Sequence, residues 1–340
     1  VVMLKSEVRL GQQINVFHQH GTDSFDKLVT QSPVMQQTIS EAKRIADLDA
    51  PILIFGETGT GKEMLAKACH QSSRRADKAF LALNCGALPD NVAETELFGY
   101  AAGTFNQTEG KAGLLEQAAG GTLLLDEIAD MSVHLQAKLL RVLEDGEFRR
   151  VGDVNPVAVD VRFICTTCQD LGQLVDEGKF RKELYYRLNV LGLVVPALRE
   201  RRSDIVPLSE SFILQHSAKL GRRPAKLSKS CVEFLQQYPW PGNVRQLQNA
   251  LFRALSLLDG NEITKEDIQL PSCTPSMTYV DENFEGTLDE EVKKFERDLL
   301  RKLYPSYPST RQLAKKLGLS HTAIANKLRE YGINKATVKL

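Results

Sequence analysis

The chain has 340 residues, enough for about two or three domains, and its 43 basic residues balance 43 acidic ones. This balance gives no indication of partners. No run of about eighteen apolar residues occurs, and the N-terminus lacks the apolar stretch of a signal peptide. We therefore expect a protein without a membrane span that resides in the cytoplasm.

Apolar runs alternate with segments of helical periodicity through the first part of the chain. Each run is short enough for a buried strand, and the segments between carry apolar residues at helical spacing. Such alternation predicts an α/β fold with a parallel sheet covered by helices. The predicted strands are residues 51–55, 80–85, 122–127, 159–165 and 190–195.

The pattern changes after the last of these strands. From about residue 203 to residue 262 the pattern is helical only, broken at PWPGN. We assign this segment to the end of a first domain that spans residues 24–265. Prolines and serines without a clear period then predict a linker over 266–285, followed by a small all-α domain over 286–340. Residues 1–23 are assigned as an N-terminal remnant or linker, because VRLGQQINVF looks like the tail of a preceding domain.

The segment GETGTGK follows the strand at residues 51–55 and opens a helix, which is the context of a P-loop. Glycines let successive N–H groups point into one concavity for phosphate oxygens, and the helix N-terminus adds partial positive charge. A chance glycine turn is the alternative. Glu63 stands where a P-loop usually has a magnesium-binding Ser or Thr, so the metal must be held otherwise. The predicted nucleotide ligands are Gly56, Glu57, Thr58, Gly59, Thr60, Gly61, Lys62 and Glu63.

An acidic pair ends the predicted strand TLLLDE. Asp126 is suited to hold Mg²⁺ through water, and Glu127 is suited to orient an attacking water. Alone, such a pair would more often cap a helix. Its combination with a P-loop favours the catalytic interpretation.

The C-terminal domain is basic, with nine Lys and Arg against one Glu from Leu300 onward, a net charge of +8. Such an excess indicates an anionic partner, although a solvated helix face is the alternative. Because faces of that kind usually mix both signs, we favour an anionic partner.

The segment STRQLAKKLGLSHTAIANKLREYGI predicts a helix, a turn at Gly318 and a second helix capped by Ser320. The second helix is the predicted recognition helix, and two of them in a dimer would read palindromic operator DNA. A helical hairpin that binds no DNA is the alternative. The predicted contacts to base edges or phosphates are Arg311, Lys315, Ser320, His321, Thr322, Ala323, Asn326, Lys327 and Arg329.

These motifs, with ETELFGY, LQAKLLRVLEDGEFRRVG, FRKELYYRLNV, PALRERRSDI and YPWPGNVRQLQNA, resemble the AAA+ domain of bacterial enhancer-binding transcription regulators. The resemblance covers residues 24–265. It implies a P-loop AAA+ domain with a parallel sheet, a helical lid over about 203–265 and ring-type self-association. It also implies that Arg181 and Arg187 are arginine fingers for a neighbour's nucleotide, with surface ion pairing as the alternative, and that Arg245 senses nucleotide from the lid.

Two positions depart from the family pattern. The family presents threonine and then asparagine or histidine after the fourth predicted strand, whereas this chain has Thr167 and Cys168. A thiol is a poor partner for orienting water, so we expect ATP binding with at most weak ATPase activity. The family's sigma-54-contacting hexapeptide GAFTGA is GTFNQT at residues 103–108, without the contacting threonine and one flexible glycine. We expect this loop not to engage sigma-54.

The segments GTLDEEVKKFERDLL, YPSTRQLAKKLGLSHTAIANKLREYGI and PWPGNVRQLQNALFRAL further resemble a branch of the family that represses genes of aromatic amino-acid biosynthesis and transport. That resemblance implies ATP and Mg²⁺ as cofactors and L-tyrosine as effector, with phenylalanine and tryptophan as further candidates. It implies sigma-70 RNA polymerase as a partner, and a homodimer that becomes a hexamer with ATP and tyrosine. A sigma-54-dependent ATPase that activates transcription and a P-loop enzyme with an unrelated substrate are the alternatives.

Overall fold

The computed structural model describes residues 14–17, 24–104, 109–270, 293, 296–297, 299–300, 303–304 and 309–333. The chain forms two compact units, residues 1–270 and 271–340. None of the helices in the described part of the chain has both the length and the apolar character that a membrane span requires.

Strands and helices alternate along the first unit. The described strands are β1 (Ile14–Phe17), β2 (Ile52–Phe55), β3 (Phe80–Asn84), β4 (Gly99–Tyr100), β5 (Lys111–Ala112), β6 (Thr122–Asp126), β7 (Glu147–Arg149), β8 (Pro156–Ala158), β9 (Arg162–Thr167), β10 (Leu191–Val194), β11 (Lys226–Leu227) and β12 (Glu262–Ile263). The described α-helices are α1 (Pro33–Ala46), α2 (Lys62–Gln71), α3 (Asp90–Phe98), α4 (Leu114–Gln117), α5 (Val133–Asp145), α6 (Leu171–Asp176), α7 (Lys182–Leu188), α8 (Ile205–Lys219), α9 (Lys229–Gln237), α10 (Asn243–Leu257), α11 (Thr310–Leu317) and α12 (His321–Glu330).

A six-stranded sheet with the order β1-β3-β6-β9-β2-β10 forms the centre of the first unit. The five strands from β3 to β10 are parallel neighbours and are the five predicted from apolar runs, so the α/β prediction is confirmed. Strand β9 continues to Thr167, beyond the predicted end, because its two threonines pair with Ile54 and Phe55 of β2. Polar side chains at the carboxyl ends of these strands therefore meet along one edge of the sheet.

Strand β1 was not predicted. It lies antiparallel to β3 at the edge of the sheet, from Ile14 opposite Leu83 to Phe17 opposite Phe80. Four residues carry too little periodicity to identify a strand, and their pairing partner lies far along the chain. This strand falls within the segment assigned above as an N-terminal remnant.

Both faces of the sheet are covered by helices, because side chains alternate between the faces along each strand. In β6, Leu123 and Leu125 join a core with helices α3, α5, α6 and α7, whereas Leu124 joins a core with α1 and α2. All three leucines are fully buried. The strands are apolar runs rather than alternating patterns for this reason.

Helices α8, α9 and α10 form a separate core around Trp240, which is fully buried. The Trp240 indole N–H donates to the Leu235 carbonyl at 2.7 Å. Trp240 itself adopts a left-handed backbone with φ of 49°. The PWPGN break thus fixes the turn that directs α10 back toward α8, and these helices form the predicted lid.

In the described part of the second unit, helices α11 and α12 pack on each other. Gly318 ends α11 with φ of 67°, and the Ser320 hydroxyl accepts from the Ala323 N–H at 3.1 Å to begin α12. The core includes Leu313 of α11 and Ile324 of α12, both fully buried. The predicted helix, turn and helix are confirmed.

Candidate nucleotide-binding site and helix-turn-helix

The loop from Gly56 to Gly61 connects the end of β2 to the start of α2. Gly59 and Gly61 have φ of 79° and 104°, in the region that glycine adopts without strain. Helix α2 begins at Lys62, and the N–H groups of its first turn have no hydrogen-bond acceptor within the helix. The loop and the helix terminus therefore have the form of an anion cradle.

The Lys62 ammonium lies at the centre of this cradle and is only 6% exposed. It donates to the carbonyls of Gly56 at 2.8 Å and Glu57 at 3.3 Å, and it pairs with Glu127 Oε1 at 3.2 Å. A buried cation aimed at a strand-end carboxylate is suited to bind an anionic ligand.

A cleft of about 570 Å³ opens beside this lysine, within the usual range of small-molecule sites. Eight of the predicted ligands line it: Thr58, Gly59, Gly61, Lys62, Glu63, Asp126, Glu127 and Arg245. The lining also includes Met64, Asn84, Gly86, Ala87, Asp130, Cys168, Val244 and Gln248. Gly56, Glu57, Thr60, Arg181 and Arg187 are predicted site residues that do not line it. The nucleotide-ligand roles stay predictions.

Polar groups from the two neighbouring strands, β3 and β9, fix Asp126 at the end of β6. Its Oδ1 accepts from the Thr166 hydroxyl at 2.5 Å, and its Oδ2 accepts from the Asn84 amide at 3.2 Å. Among the described residues, no group of three or more His, Cys, Asp or Glu could hold a metal. One carboxylate nevertheless fits Mg²⁺, which keeps several waters and takes further ligands from substrate phosphates.

Glu127 has a left-handed backbone, with φ of 52°. Its Oε2 accepts from the Cys168 N–H at 3.0 Å while its Oε1 faces Lys62. Burial, together with the Glu127 carboxylate, raises the pKa of the Cys168 thiol. The thiol therefore stays protonated beside the carboxylate that would orient water.

Glu57 belongs to the P-loop motif, but its carboxylate contacts the lid. It accepts two hydrogen bonds from the Arg199 guanidinium and one from the Asn243 amide at 3.0 Å. The Arg199 hydrogen bonds are the main cause that lowers the pKa of Glu57. The predicted role of Glu57 as a ligand is therefore accompanied by a structural role in fastening the lid.

Two further contacts hold the lid against the P-loop. Arg201, only 4% exposed, donates to the Thr60 carbonyl at 2.6 Å. The Arg245 N–H donates to the Gly59 carbonyl at 3.3 Å. A Cβ on Gly59 would lie 2.5 Å from the Gly242 carbonyl, so this approach requires glycine. The lid thus contacts the P-loop at several successive residues.

The two predicted arginine fingers lie away from this cleft. Arg181 precedes α7, where its N–H donates to Gln136 Oε1 at 2.8 Å and its guanidinium to the Val133 carbonyl at 3.3 Å. Arg187 is exposed and makes no ion pair within the described part of the chain. Any role of these arginines at a nucleotide would therefore be at a neighbouring subunit.

The altered hexapeptide, residues 103–108, lies between β4 and β5, which pair as two short antiparallel strands. Gly103 has φ of 82°, and the Thr104 hydroxyl donates to the Val151 carbonyl at 3.4 Å. Its remaining residues, 105–108, lie outside the described residues. The prediction about sigma-54 depends on them and stays a prediction.

The sequence motifs did not predict four polar residues that lie at this site, namely Asn84, Arg199, Arg201 and Asn243. A signal existed for Asn84, because it is the polar end of a strand predicted to be parallel to β6. The other three lie 138 or more residues beyond the P-loop glycine Gly61, in the segments PALRERRSDI and YPWPGNVRQLQNA, which carried the family resemblance but no phosphate motif. Only the fold brings them to the P-loop.

The described helix-turn-helix places most predicted DNA contacts on its surface. Arg311, Lys315, Ser320, His321, Thr322, Asn326 and Arg329 are exposed, and Ala323 and Lys327 are half-buried. His321 Nε2 lies 2.7 Å from the Thr310 hydroxyl, and the Lys327 ammonium pairs with Glu296. The Lys327 and Tyr331 side chains lower the pKa of Glu296 through hydrogen bonds. Lys327 would have to exchange Glu296 for a phosphate to contact DNA.

Three family models match the chain in order. A Sigma-54 interaction domain matches residues 28–194, an AAA+ ATPase lid domain matches 199–273, and a helix-turn-helix domain matches 285–334. Together with the P-loop cleft, these matches define the class: an AAA+ nucleotide-binding domain with its lid, followed by a helix-turn-helix domain.

Relatives narrow this class. The HTH-type transcriptional regulatory protein TyrR of Enterobacter agglomerans is 54% identical over 98% of this chain, which spans only 64% of that relative's length. TyrR of Haemophilus influenzae is 48% identical over 92% of this chain and 96% of its own length. A crystal structure of NtrX from Brucella abortus in complex with ATP is 34% identical, with a TM-score of 0.67, over 90% of this chain and 70% of NtrX. This chain belongs to the TyrR family of HTH-type transcriptional regulatory proteins.

Proposed function

We propose that this chain is an ATP-binding, tyrosine-responsive transcription regulator, mainly a repressor of genes for aromatic amino-acid biosynthesis and transport. The observation that carries this proposal is one chain with both a lid-closed P-loop cleft and a helix-turn-helix unit. The TyrR relatives support regulation of transcription as the activity and tyrosine as the effector. The site of action is the cytoplasm, where promoter DNA and ATP meet.

ATP with Mg²⁺ is the proposed occupant of the cleft. Lys62 and the N–H groups that begin α2 would hold phosphate oxygens, and Asp126 would hold the metal through water. The bound metal would neutralise phosphate charge. Arg245, which belongs to the lid, also lines the cleft and would report whether nucleotide is present. The phosphates would compete with Glu127 for the Lys62 ammonium.

Hydrolysis is proposed to be weak. Glu127 is held by Lys62 and by the Cys168 N–H, and the adjacent thiol is a poor hydrogen-bond partner for water. We further propose that the protein works with sigma-70 polymerase, because the loop at 103–108 lacks the threonine that contacts sigma-54 in the resembling family. A sigma-54-dependent activator would instead show steady ATP turnover that collapses in Arg187→Ala.

Sedimentation with ligands tests the effector and the assembly together. We expect a homodimer alone, and a hexamer only when a non-hydrolysable ATP analogue and millimolar L-tyrosine are both present. The physical reason is that arginine fingers act in trans, so nucleotide and effector can both stabilise a ring. D-tyrosine, equal in mass and charge, is the control and should leave the dimer. A hexamer with nucleotide alone, unchanged by L-tyrosine, would contradict the proposal.

Binding of operator DNA should depend steeply on salt, because Lys and Arg side chains release counterions from phosphates. We expect Asn326→Ala, at an exposed position of α12, to weaken operator binding about 10- to 100-fold and non-specific DNA binding very little. Lys315→Gln should weaken both and lower the salt slope by about 1. Fluorescence anisotropy at several salt concentrations measures these effects. A flat salt response would rule out the DNA-binding proposal.

A further inference from the structure

One acidic side chain of the second unit lies against the helix that is predicted to read DNA. Glu296 belongs to a segment that precedes the helix-turn-helix, in which the described helical residues are 293, 296–297, 299–300 and 303. Leu300, one helical turn after Glu296, is 3% exposed and joins the core formed with α11 and α12. The segment is therefore packed on the helix-turn-helix, and this packing holds Glu296 beside α12.

The Glu296 carboxylate binds two donors at the end of α12 with a single oxygen. Its Oε2 accepts from the Lys327 ammonium and, at 2.9 Å, from the Tyr331 hydroxyl. Lys327 and Tyr331 are four positions apart, a spacing that places side chains on one face of a helix. The Glu296 and Lys327 side chains are each 32% exposed, so this ion pair is partly shielded from solvent.

The groups in this contact keep the protonation states that it needs at neutral pH. Hydrogen bonds from Lys327 and Tyr331 lower the pKa of Glu296, which therefore stays ionised. Burial and the Glu296 carboxylate raise the pKa of Tyr331 to about 12, so its hydroxyl stays a donor. A charged acceptor thus faces Lys327 in neutral solution.

Lys327 is distinguished by this contact from the other cations of the helix-turn-helix. Helices α11 and α12 carry five Lys and Arg side chains, which are Arg311, Lys315, Lys316, Lys327 and Arg329. In the described part of the chain, Lys327 pairs with an acidic residue, and the other four are exposed without an ion pair. One particular cation of a basic surface is therefore neutralised from within the unit.

We propose that Glu296 is an internal competitor of DNA, whose carboxylate occupies Lys327 as a backbone phosphate would and so lowers the affinity of the helix-turn-helix for DNA. This inference rests on the DNA binding proposed above. Carboxylates and phosphates both offer anionic oxygens to an ammonium, so a phosphate must compete with Glu296 for the N–H donors of Lys327. A displaced carboxylate would also repel the phosphates that replace it.

Such competition acts on every DNA sequence alike, because contacts to phosphates carry no sequence information. It would weaken the hold of each helix-turn-helix on arbitrary DNA. Base-edge contacts from exposed residues of α12, such as Asn326, would then decide where binding persists.

Glu296→Gln is expected to strengthen binding to arbitrary DNA about 3- to 10-fold, because the amide keeps the shape of the side chain but has no charge to hold Lys327. Fluorescence anisotropy of the whole chain with a labelled, non-palindromic duplex of about 30 base pairs measures this affinity through its phosphate contacts. Glu330→Gln is the matched control, because it also removes one negative charge, at an exposed position of α12. Its gain should be about 2-fold or less, since solvent and salt screen an exposed charge.

A second background separates competition for Lys327 from a general change of charge. In Lys327→Gln, adding Glu296→Gln should strengthen binding no more than Glu330→Gln does, because the cation in dispute is absent. An equal gain from Glu296→Gln with and without Lys327 would overturn the proposal. Weaker binding by Glu296→Gln would also overturn it, because the pair would then serve the fold of the unit instead of opposing DNA.

The same titrations keep this inference apart from the function on which it rests. If the unsubstituted protein binds the duplex and Glu296→Gln gains no more than Glu330→Gln, the competition is wrong while the proposed DNA binding stands. If neither the unsubstituted protein nor Glu296→Gln binds DNA, both are wrong.

Discussion

Lys62→Ala is expected to weaken ATP binding about 100-fold, because charge-assisted hydrogen bonds to phosphate are each worth about 1.5–3 kcal/mol. The ammonium is almost fully buried and lies between the loop carbonyls and Glu127. Its removal also leaves the Glu127 carboxylate unneutralised in a cleft that must receive polyphosphate. Isothermal calorimetry with a non-hydrolysable ATP analogue measures the change.

Arg74→Gln is the matched control, because Arg74 lies just beyond the same helix, outside the cleft, and makes an exposed ion pair with Asp47. Surface pairs of this kind contribute about 0–1 kcal/mol, so ATP affinity should change very little. Glu127→Gln should bind ATP at least as well as the unsubstituted protein, since it removes the charge that competes for Lys62. If Lys62→Ala binds ATP with unchanged affinity, the cleft is not the nucleotide site.

The P-loop and the helix-turn-helix could be predicted because their signals are local. In the P-loop, Gly59 and Gly61 have positive φ, which glycine adopts without strain. In the helix-turn-helix, Gly318 forms the turn and Ser320 caps the second helix. Each of these features depends on residues within a few positions of one another. The sequence therefore contains their complete physical cause.

The lid contacts and the packing of the core could not be predicted, because their residues meet only in the folded chain. Asn243 reaches Glu57 across 186 positions, and Phe98 meets Phe148 across 50. Asn84 is intermediate, since its place at a strand end was visible but its bond to Asp126 needed the strand order.

The contacts between lid and P-loop give nucleotide binding a physical link to the rest of the unit. Glu57 and Gly59 belong to the phosphate loop, yet both are bonded to residues that begin or belong to the lid. A ligand that moves the loop must therefore move or strain these bonds. One fully buried side chain, that of Asn243, contacts both the P-loop and the segment that begins the lid.

Asn243→Ala is expected to lower the free energy of unfolding by about 3 kcal/mol and to weaken ATP binding. The fully buried side chain accepts from the Leu198 N–H at 2.8 Å and donates to Glu57 Oε2 and to the Thr58 carbonyl. Alanine leaves that N–H without an acceptor in a buried place. Alanine also adopts the left-handed backbone conformation of this position, where φ is 49°, less readily than asparagine does.

Urea unfolding followed by tryptophan fluorescence measures the loss directly, because the chain has one tryptophan and Trp240 is buried in the lid core. Asn249→Ala, at an exposed position on the same helix, is the control and should change stability by less than about 0.5 kcal/mol. Asn243→Asp keeps an acceptor for the Leu198 N–H but places a carboxylate against Glu57. It should therefore remain destabilised at neutral pH and recover part of the loss when carboxyl groups are protonated. An unfolding midpoint equal to that of Asn249→Ala would mean that the lid is held without this contact.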